Sequence, residues 1–336
     1  MGKDETVTTL GAFLAPLAVG EAFGHLNLTL VPLRGDSNGK LDYVLGADAI
    51  EAGTLAITEV GEFGTVPELL VKSTAETMVL LLDGEELVGA KQNRILNTSV
   101  LLPPKAETRI PVSCVEQGRW HHASRAFAVG GYSPSKLRAR KSRDVSRSLR
   151  TEGVAASNQG AVWEEVSCCL GSVAAHSPTM ALHDAIKQRQ ETLDGYTDAL
   201  PWPDSAQGVV AAINGEFVAV DLFDKAETLR RVWPRLITGY VLDALGRQKA
   251  RSRPFTPKGA GALLEHLGEV ACQPCPSVGV GQDWRFESKA VVGQALVAEG
   301  VCVHMSVFPN QEASGPRRGG ASIEPPSGRG RRKRSP

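Results

Sequence analysis

The chain has 336 residues, with 37 Lys and Arg balancing 37 Asp and Glu and 42% hydrophobic residues. That balance excludes a molecule organised as a whole around nucleic acid or an anionic membrane, while a chain of this size buries roughly three quarters of its unfolded surface in a core. No run approaches the roughly 18 apolar residues of a spanning helix, and six cysteines are too few for a disulfide scaffold and suit a reduced, cytoplasmic protein.

Residues 1–17 form an N-terminal segment set apart from the rest. The apolar run at 10–19 follows MGKDET, whose single Lys faces two acids where a secretory leader needs net positive charge, so a short packed or amphipathic segment is expected. Gly2 with Thr6 fits a loose myristoylation pattern that the neighbouring acids disfavour.

Residues 26–113 read as mostly strand. LNLTLVPL, TLAITEV, PELLVKS, TMVLLLDG, ILNTSVLL and TRIPVSC are short β-branched or Leu-rich runs, mostly punctuated by Gly, Pro, Asp or Asn. They recur without intervening helical periods, which predicts an antiparallel sheet or barrel-like half.

The character changes over 135–250. SKLRARKSRDVSRSLR, residues 135–150, holds seven basic residues and one acid around a thin apolar stripe, and predicts an exposed helix or basic loop, a local insertion. Asn158 or Ser157 caps a helix carrying Val162, Val166, Leu170 and Val173. Ser177-Pro178 opens another, since Pro is tolerated at the first helical position. Asn214-Gly215 between two apolar runs is the strongest hairpin signal in the chain. Asp224 with Glu227 reads as a capping box for a long helix to about residue 248, bent at Pro234.

Strand character returns in DWRFES, AVVGQALV and VCVHMSVF. The fold class is α+β: a β-rich antiparallel N-terminal half, a helical middle with a β-hairpin, and C-terminal strands returning to the same sheet, all within one domain over 18–308. Residues 309–336 read as a disordered basic tail; from 311 onward seven basic residues against two acids give +5 and leave −5 on the remainder. Weak contact with a polyanion through this tail, or through 136–150, is the partner it suggests.

Chemistry concentrates in residues 83–120. Glu85 and Glu86, then Lys91, Gln92, Asn93 and Arg94, lie between apolar strands, and Cys114, Glu116, Gln117, Arg119 and Trp120 follow the next strand. Such polar knots are expected in turns or at a sheet rim, because burying them unpaired is costly. Facing one another, they would line a pocket. Glu85, Glu86 and Glu116 are acid/base candidates, Lys91, Arg94 and Arg119 suit phosphate or carboxylate, Trp120 suits stacking on a ring, and Cys114 is a nucleophile if a cation lowers its pKa. The spacing fits equally an ion-pair cluster that only holds two turns together.

The run LLDGEELVGAKQNR, with IPVSCVEQGRW downstream, resembles the ARG and rhodanese-phosphatase-superfamily-associated protein domain family, a prokaryotic group defined by genomic association with ADP-ribosylglycohydrolases. The resemblance extends over about 18–308, through SNQGAVW, the Asn214-Gly215 hairpin and the Trp284-Arg285-Phe286 strand. It implies a link to ADP-ribose or NAD-derived metabolites without a mechanism. The family-like positions are Glu85, Glu86, Lys91, Gln92, Asn93, Arg94, Asn97, Cys114, Glu116, Gln117, Arg119 and Trp120. The expected function is an enzyme acting on such a phosphate-bearing nucleotide-like small molecule, with Glu86, Cys114 and Glu116 catalytic and the others binding substrate. The rival is a non-catalytic binding or scaffold module.

Other constellations carry less. Cys272 and Cys275 have zinc-knuckle spacing without a second pair, and His121-His122 lacks the spacing that shared metal ligation needs, so no metal or cofactor is assigned. His25 and His304 read as edge histidines, and Gly279 with Gly281 is a fragment of a phosphate loop. Rossmann, Walker and nucleophile-elbow patterns are absent from the sequence.

Overall fold

A computed structural model describes residues 8–35, 39, 41–61, 64–247 and 253–310. The chain opens with α1 (Gly11–Leu14), β1 (Ala18–Val19), β2 (Phe23–His25) and β3 (Leu28–Arg34). There follow β4 (Tyr43–Leu45), α2 (Gly46–Glu51), β5 (Leu55–Glu59), β6 (Glu68–Ser73), β7 (Met78–Leu81), β8 (Glu85–Gly89), β9 (Arg94–Leu96), β10 (Val100–Leu102), β11 (Glu107–Cys114) and β12 (Phe127–Tyr132). The middle holds α3 (Ser135–Thr151), α4 (Gln159–Ser172), α5 (Leu182–Gln188), α6 (Gln190–Ala199), β13 (Gly208–Ile213), β14 (Glu216–Phe223) and α7 (Ala226–Leu245). The last part holds α8 (Pro257–Glu269), β15 (Cys272–Pro276), β16 (Gln282–Glu287), β17 (Val291–Ala298) and β18 (Val301–Pro309).

The class is α+β, and the C-terminal strands join the sheet that the N-terminal strands begin. That sheet has nine strands in the order β1-β3-β13-β14-β18-β17-β16-β15, with β2 also on β3, and every pairing in it is antiparallel. The rest of the N-terminal half forms two further sheets, β12-β8-β9-β11-β6-β5 and β10-β7-β4. One face of the large sheet carries α1 and α8 through Leu10, Leu14, Leu264 and Leu267, so the apolar run near the N-terminus is indeed packed. The other face meets the main core, which α3 to α7 and the small three-stranded sheet share, while α2 packs through Ala49 and Ile50 into the core of the six-stranded sheet.

That small sheet explains the unbroken apolar runs. Val79 and Leu81 of β7 face the six-stranded sheet, while Leu80 and Leu82 face the main core, and Val100, Leu101 and Leu102 divide the same way. A strand covered on both sides needs no polar face. ILNTSVLL therefore splits into β9 and β10 at Asn97, Thr98 and Ser99, whose side chains are buried and hydrogen-bonded elsewhere.

Local chemistry accounts for several boundaries. Asn214 (φ 52°) and Gly215 (φ 78°) make the tight turn between β13 and β14. Asn158 Oδ1 accepts from Ala161 N at 3.1 Å and caps α4. The expected capping box at α7 is not formed. Lys225 is the cap residue, and the Asp224 carboxylate accepts instead from the Tyr43 hydroxyl. Pro178 does not start a helix: Ser177 Oγ accepts from Ala181 N at 2.7 Å and donates to Asp184 at 2.6 Å, so α5 begins four residues later, at Leu182.

The largest correction concerns 135–150. The segment is a helix, α3, but Leu137, Arg138, Ala139, Lys141, Ser142, Arg143 and Val145 are all buried against the large sheet and its neighbours. Its cations are sequestered by acids far away in the sequence, so it offers polyanions only Lys136, Arg147 and Arg150 as exposed cations. Pro309 still belongs to β18, and the rest of the expected tail from 311 lies outside the described residues. No described helix is long and apolar enough to cross a membrane.

Candidate functional site

The two polar motifs do meet. β8 and β9 are joined by a tight turn over residues 90–93, and β9 pairs with β11 so that Arg94 lies opposite Cys114. Gly89 sits at φ 125°, and a Cβ there would come within 2.4 Å of Ser124 Oγ and 3.0 Å of Ala126 O, so the turn accepts no side chain at this point.

Glu116 is the anchor. Its carboxylate accepts from Asn93 N at 3.0 Å, from Arg119 Nε at 2.8 Å and NH2 at 2.6 Å, and from Thr179 Oγ1 at 2.9 Å. Burial alone would raise its pKa, but these donors outweigh it and hold the carboxyl below the usual range. Arg119 also donates to the carbonyls of Ala90 (2.6 Å) and Gly89 (3.3 Å) and to Asn93 Oδ1 (3.0 Å), so it is a tie between motifs rather than an open donor. Gln92 Nε2 reaches the Glu116 carbonyl at 2.9 Å, and Gln92 Oε1 accepts from Arg94 NH1 (3.1 Å) and the Cys114 thiol (3.3 Å). As expected of such a knot, Lys91, Gln92 and Asn93 lie in the turn joining β8 to β9, with Arg94 opening β9; all four are buried there, their polar groups held largely by pairing.

Arg94 is the exception to this saturation. It is 0% exposed, yet among the described residues its Nε and NH2 have no hydrogen-bond partner, nor has Glu59 Oε2. Burial lowers the guanidinium pKa, offset in part by Cys114 and Glu59. Above it lies Trp120, 49% exposed, its ring centroid 6.0 Å from the Arg94 guanidinium carbon and 5.6 Å from Lys91 Nζ. Burial pushes the Cys114 thiol up despite Arg94, so the thiol stays protonated and packs as a donor; that environment does not suit an activated nucleophile.

The structure separates the remaining candidates from this cluster. In the β8–β9–β11 ladder Glu86 lies opposite Ile95, which lies opposite Ser113, whereas Arg94 lies opposite Leu87 and Cys114; Glu86 therefore projects to the other face of the sheet from Arg94. Its Oε2 is 2.8 Å from His183 Nδ1 on α5, and this hydrogen bond raises the His183 pKa against the effect of burial. Glu85 pairs with Arg235 of α7 at 3.0 Å. Asn97 donates to the Ala155 carbonyl at 3.0 Å and accepts from Ser113 Oγ at 2.5 Å; Gln117 alone of these stays at the cluster, exposed, with its carbonyl accepting from Gln92 Nε2 at 3.4 Å. His121 and His122 are exposed, and no group of three or more His, Cys, Asp or Glu able to hold a metal occurs among the described residues.

A second constellation escaped the sequence reading. Between the large sheet and α3, Arg138 forms a two-point pair with Asp221 (NH1–Oδ2 3.0 Å, NH2–Oδ1 2.6 Å), Tyr240 donates to Asp221 at 2.5 Å, and Lys141 pairs with Asp83 and donates to the Leu96 carbonyl at 2.6 Å. Burial opposes the charged form of both acids. The charges of Lys141 and Arg138 nonetheless hold Asp83 below the usual range, and Arg138 with His304 brings Asp221 down to about 2. His304, read as an edge histidine, is 0% exposed and lies between Ser99 Oγ (2.7 Å) and Asp221 Oδ1 (3.5 Å). Ser99, His304 and Asp221 have the composition of a hydrolytic triad. Ser99 is nevertheless 3% exposed and Asp221 is spent on Arg138 and Tyr240, so the layer is a sealed internal ionic network. The only sequence signal for it is polar residues at core-facing positions of otherwise apolar strands, as at Asp221, His304 and Ser306.

Comparison with protein families places the chain in the ARG and Rhodanese-Phosphatase-superfamily-associated Protein domain family, which it matches over residues 16–308 and to which it therefore belongs. The match runs through α3, so the basic helix lies inside the family domain. Comparison with curated proteins and with solved structures finds no match.

Proposed function

We propose, taking membership of that family as the premise, that the protein binds a phosphate-bearing, ring-containing metabolite of the ADP-ribose or NAD type at the Trp120 face. One observation carries the reading: a wholly buried guanidinium with two unpartnered nitrogens beneath a half-exposed indole. Buried donors are as a rule paired; among the described residues Arg285 also keeps two unpartnered nitrogens, but only Arg94 has them under a half-exposed aromatic ring. A phosphate oxygen satisfies such a pair at close to the geometry of a carboxylate. Rotation of the indole away from Arg94 opens the path, and the same ring then stacks on the ligand. The family name, with its association to ADP-ribosylglycohydrolases, supports this ligand class.

Catalysis is a second reading, favoured by a different residue from those the sequence suggests. Glu116 is saturated and Cys114 protonated, but His183 is held by Glu86 through Nδ1, and its Nε2 makes no hydrogen bond among the described residues. That is the arrangement of an oriented general base. Isothermal titration of the full chain with ADP-ribose and NAD tests the binding reading. Heat that saturates, and that Trp120→Ala and Arg94→Met weaken, is expected; no heat with either ligand at about 1 mM, the affinity scale of a weak metabolite site, ends it. Turnover that His183→Asn abolishes while binding persists would promote the protein to an enzyme.

A further inference from the structure

A cavity of about 510 Å³ opens where the two larger sheets meet, well within the size range of small-molecule sites, and it is formed by neither polar motif. Its walls are mostly apolar: Pro67 and Pro111 from the six-stranded sheet side, Leu149 at the end of α3, Val154 from the α3–α4 loop, and Pro276 and Val278 beside β15. Val154 is 51% exposed, one of the few large apolar side chains left in solvent.

The floor is polar and built. Asp283, 3% exposed, accepts on Oδ2 from Thr98 Oγ1 at 2.7 Å and from Arg285 NH2 at 2.5 Å, and Thr98 and Asp283 both line the cavity. Asp283 Oδ1 accepts no hydrogen bond among the described residues, and it keeps some accessible surface. A carboxylate oxygen with unused lone pairs at the base of an apolar hollow asks for a donor.

The charge balance narrows the class. Arg285 already neutralises Asp283, and the Glu68–Arg109 pair at the mouth is balanced as well, at 3.4 Å. A second cation would find no uncompensated anion, and an anion would meet the Asp283 oxygen directly. We propose that this cavity is a binding site for a small, uncharged molecule with a ring or compact apolar body and one N–H or O–H donor, the donor directed at Asp283 Oδ1. The site is independent of the Trp120 cluster, and its occupancy does not depend on the reading given for that face.

Three probes with the same ring separate the possibilities: 2-phenylacetamide, 2-phenylacetate and 2-phenylethylamine, titrated against the full isotope-labelled chain by NMR. The amide should shift resonances around the cavity and bind roughly five- to tenfold more tightly than either ion, the value of one net hydrogen bond. Val154→Glu, a change at an exposed position, should abolish binding of the amide without unfolding the protein, and Asp283→Asn, which keeps an acceptor but removes the charge, should retain it. Equal or tighter binding of the carboxylate or the amine would overturn the proposed class. Amide binding indifferent to Val154→Glu, or none at about 10 mM, a weak limit for a fragment of this size, would overturn the site.

Discussion

Arg138 and Asp221 face each other as a planar fork on a carboxylate, at 2.6 and 3.0 Å, with neither side chain reaching solvent. The guanidinium carbon is also 5.0 Å from the Tyr132 ring centroid and 4.8 Å from that of Phe308. Removing one partner strands the other charge in a low-dielectric layer, which typically costs about 3–5 kcal/mol. Arg138→Met should therefore lower unfolding free energy by that order, measured by urea denaturation. Arg138→Met combined with Asp221→Leu should cost less than the sum of the single changes, because no orphan charge remains.

The same pair sets an acid limit. Asp221 is held at about 2 against an ordinary value of 3.8. A depressed carboxyl contributes stability that is complete above its unfolded pKa and is lost as pH falls through the folded one. Unfolding free energy should hold steady down to about pH 4 on this account and fall between about pH 4 and 2. Asp221→Asn, already destabilised, should show a shallower fall there; an identical slope would remove Asp221 as the cause.

His183 titrates in the opposite sense. Its pKa is raised above 6.5 by the hydrogen bond to Glu86, so the pair stabilises the fold below about pH 6.5 and that contribution is lost as pH rises through the raised value. The imidazole resonances should titrate above those of a reference histidine, and Glu86→Gln should bring the midpoint down. An unmoved midpoint would mean that the contact with Glu86 does not govern the ring.

At the Trp120 face, Trp120→Ala should weaken ADP-ribose roughly 5- to 150-fold, the range for losing one stacked base, while changing stability by no more than about 1 kcal/mol because the ring is half exposed. Calorimetric titration beside a denaturation curve checks both halves.

Cys114 should resist chemistry in the native state. Burial keeps its thiol protonated, whereas Cys168 is exposed. Iodoacetamide at pH 7.5 should label Cys168 first and Cys114 only on unfolding, as peptide mass analysis would show. Native labelling of Cys114 ahead of Cys168 would restore it as a candidate nucleophile.

What was legible in the sequence was what is local. The Asn214-Gly215 turn and the Asn158 cap need only their own backbone, and both formed. The Gln92–Arg94 and Cys114–Arg119 motifs converge because one strand pairing joins them. What was not legible depends on partners distant in sequence. α3 reads as a solvated helix from its seven basic residues, and only Asp83 and Asp221, supplied from two other parts of the chain, make it a buried one. Glu85 and Glu86 read as members of one polar knot with residues 91–94; they belong instead to β8, where neighbours diverge, and they serve α7 and α5 separately. His183 had no motif to announce it, and its role follows entirely from α5 being docked through Leu182 N on the Val115 carbonyl.

The charged layer beneath α3 draws Asp83, Arg138, Lys141, Asp221 and His304 from stretches spread over most of the polypeptide. β18 is the last of these contributors in chain order, and it adds His304 to pairs that already join α3 to acids on either side of it in sequence, so the layer is complete only when these distant stretches have come together. Fragments 1–134 and 135–336 should consequently stay open when produced apart and regain protease resistance only on mixing, a dependence that makes this domain poorly suited to truncation.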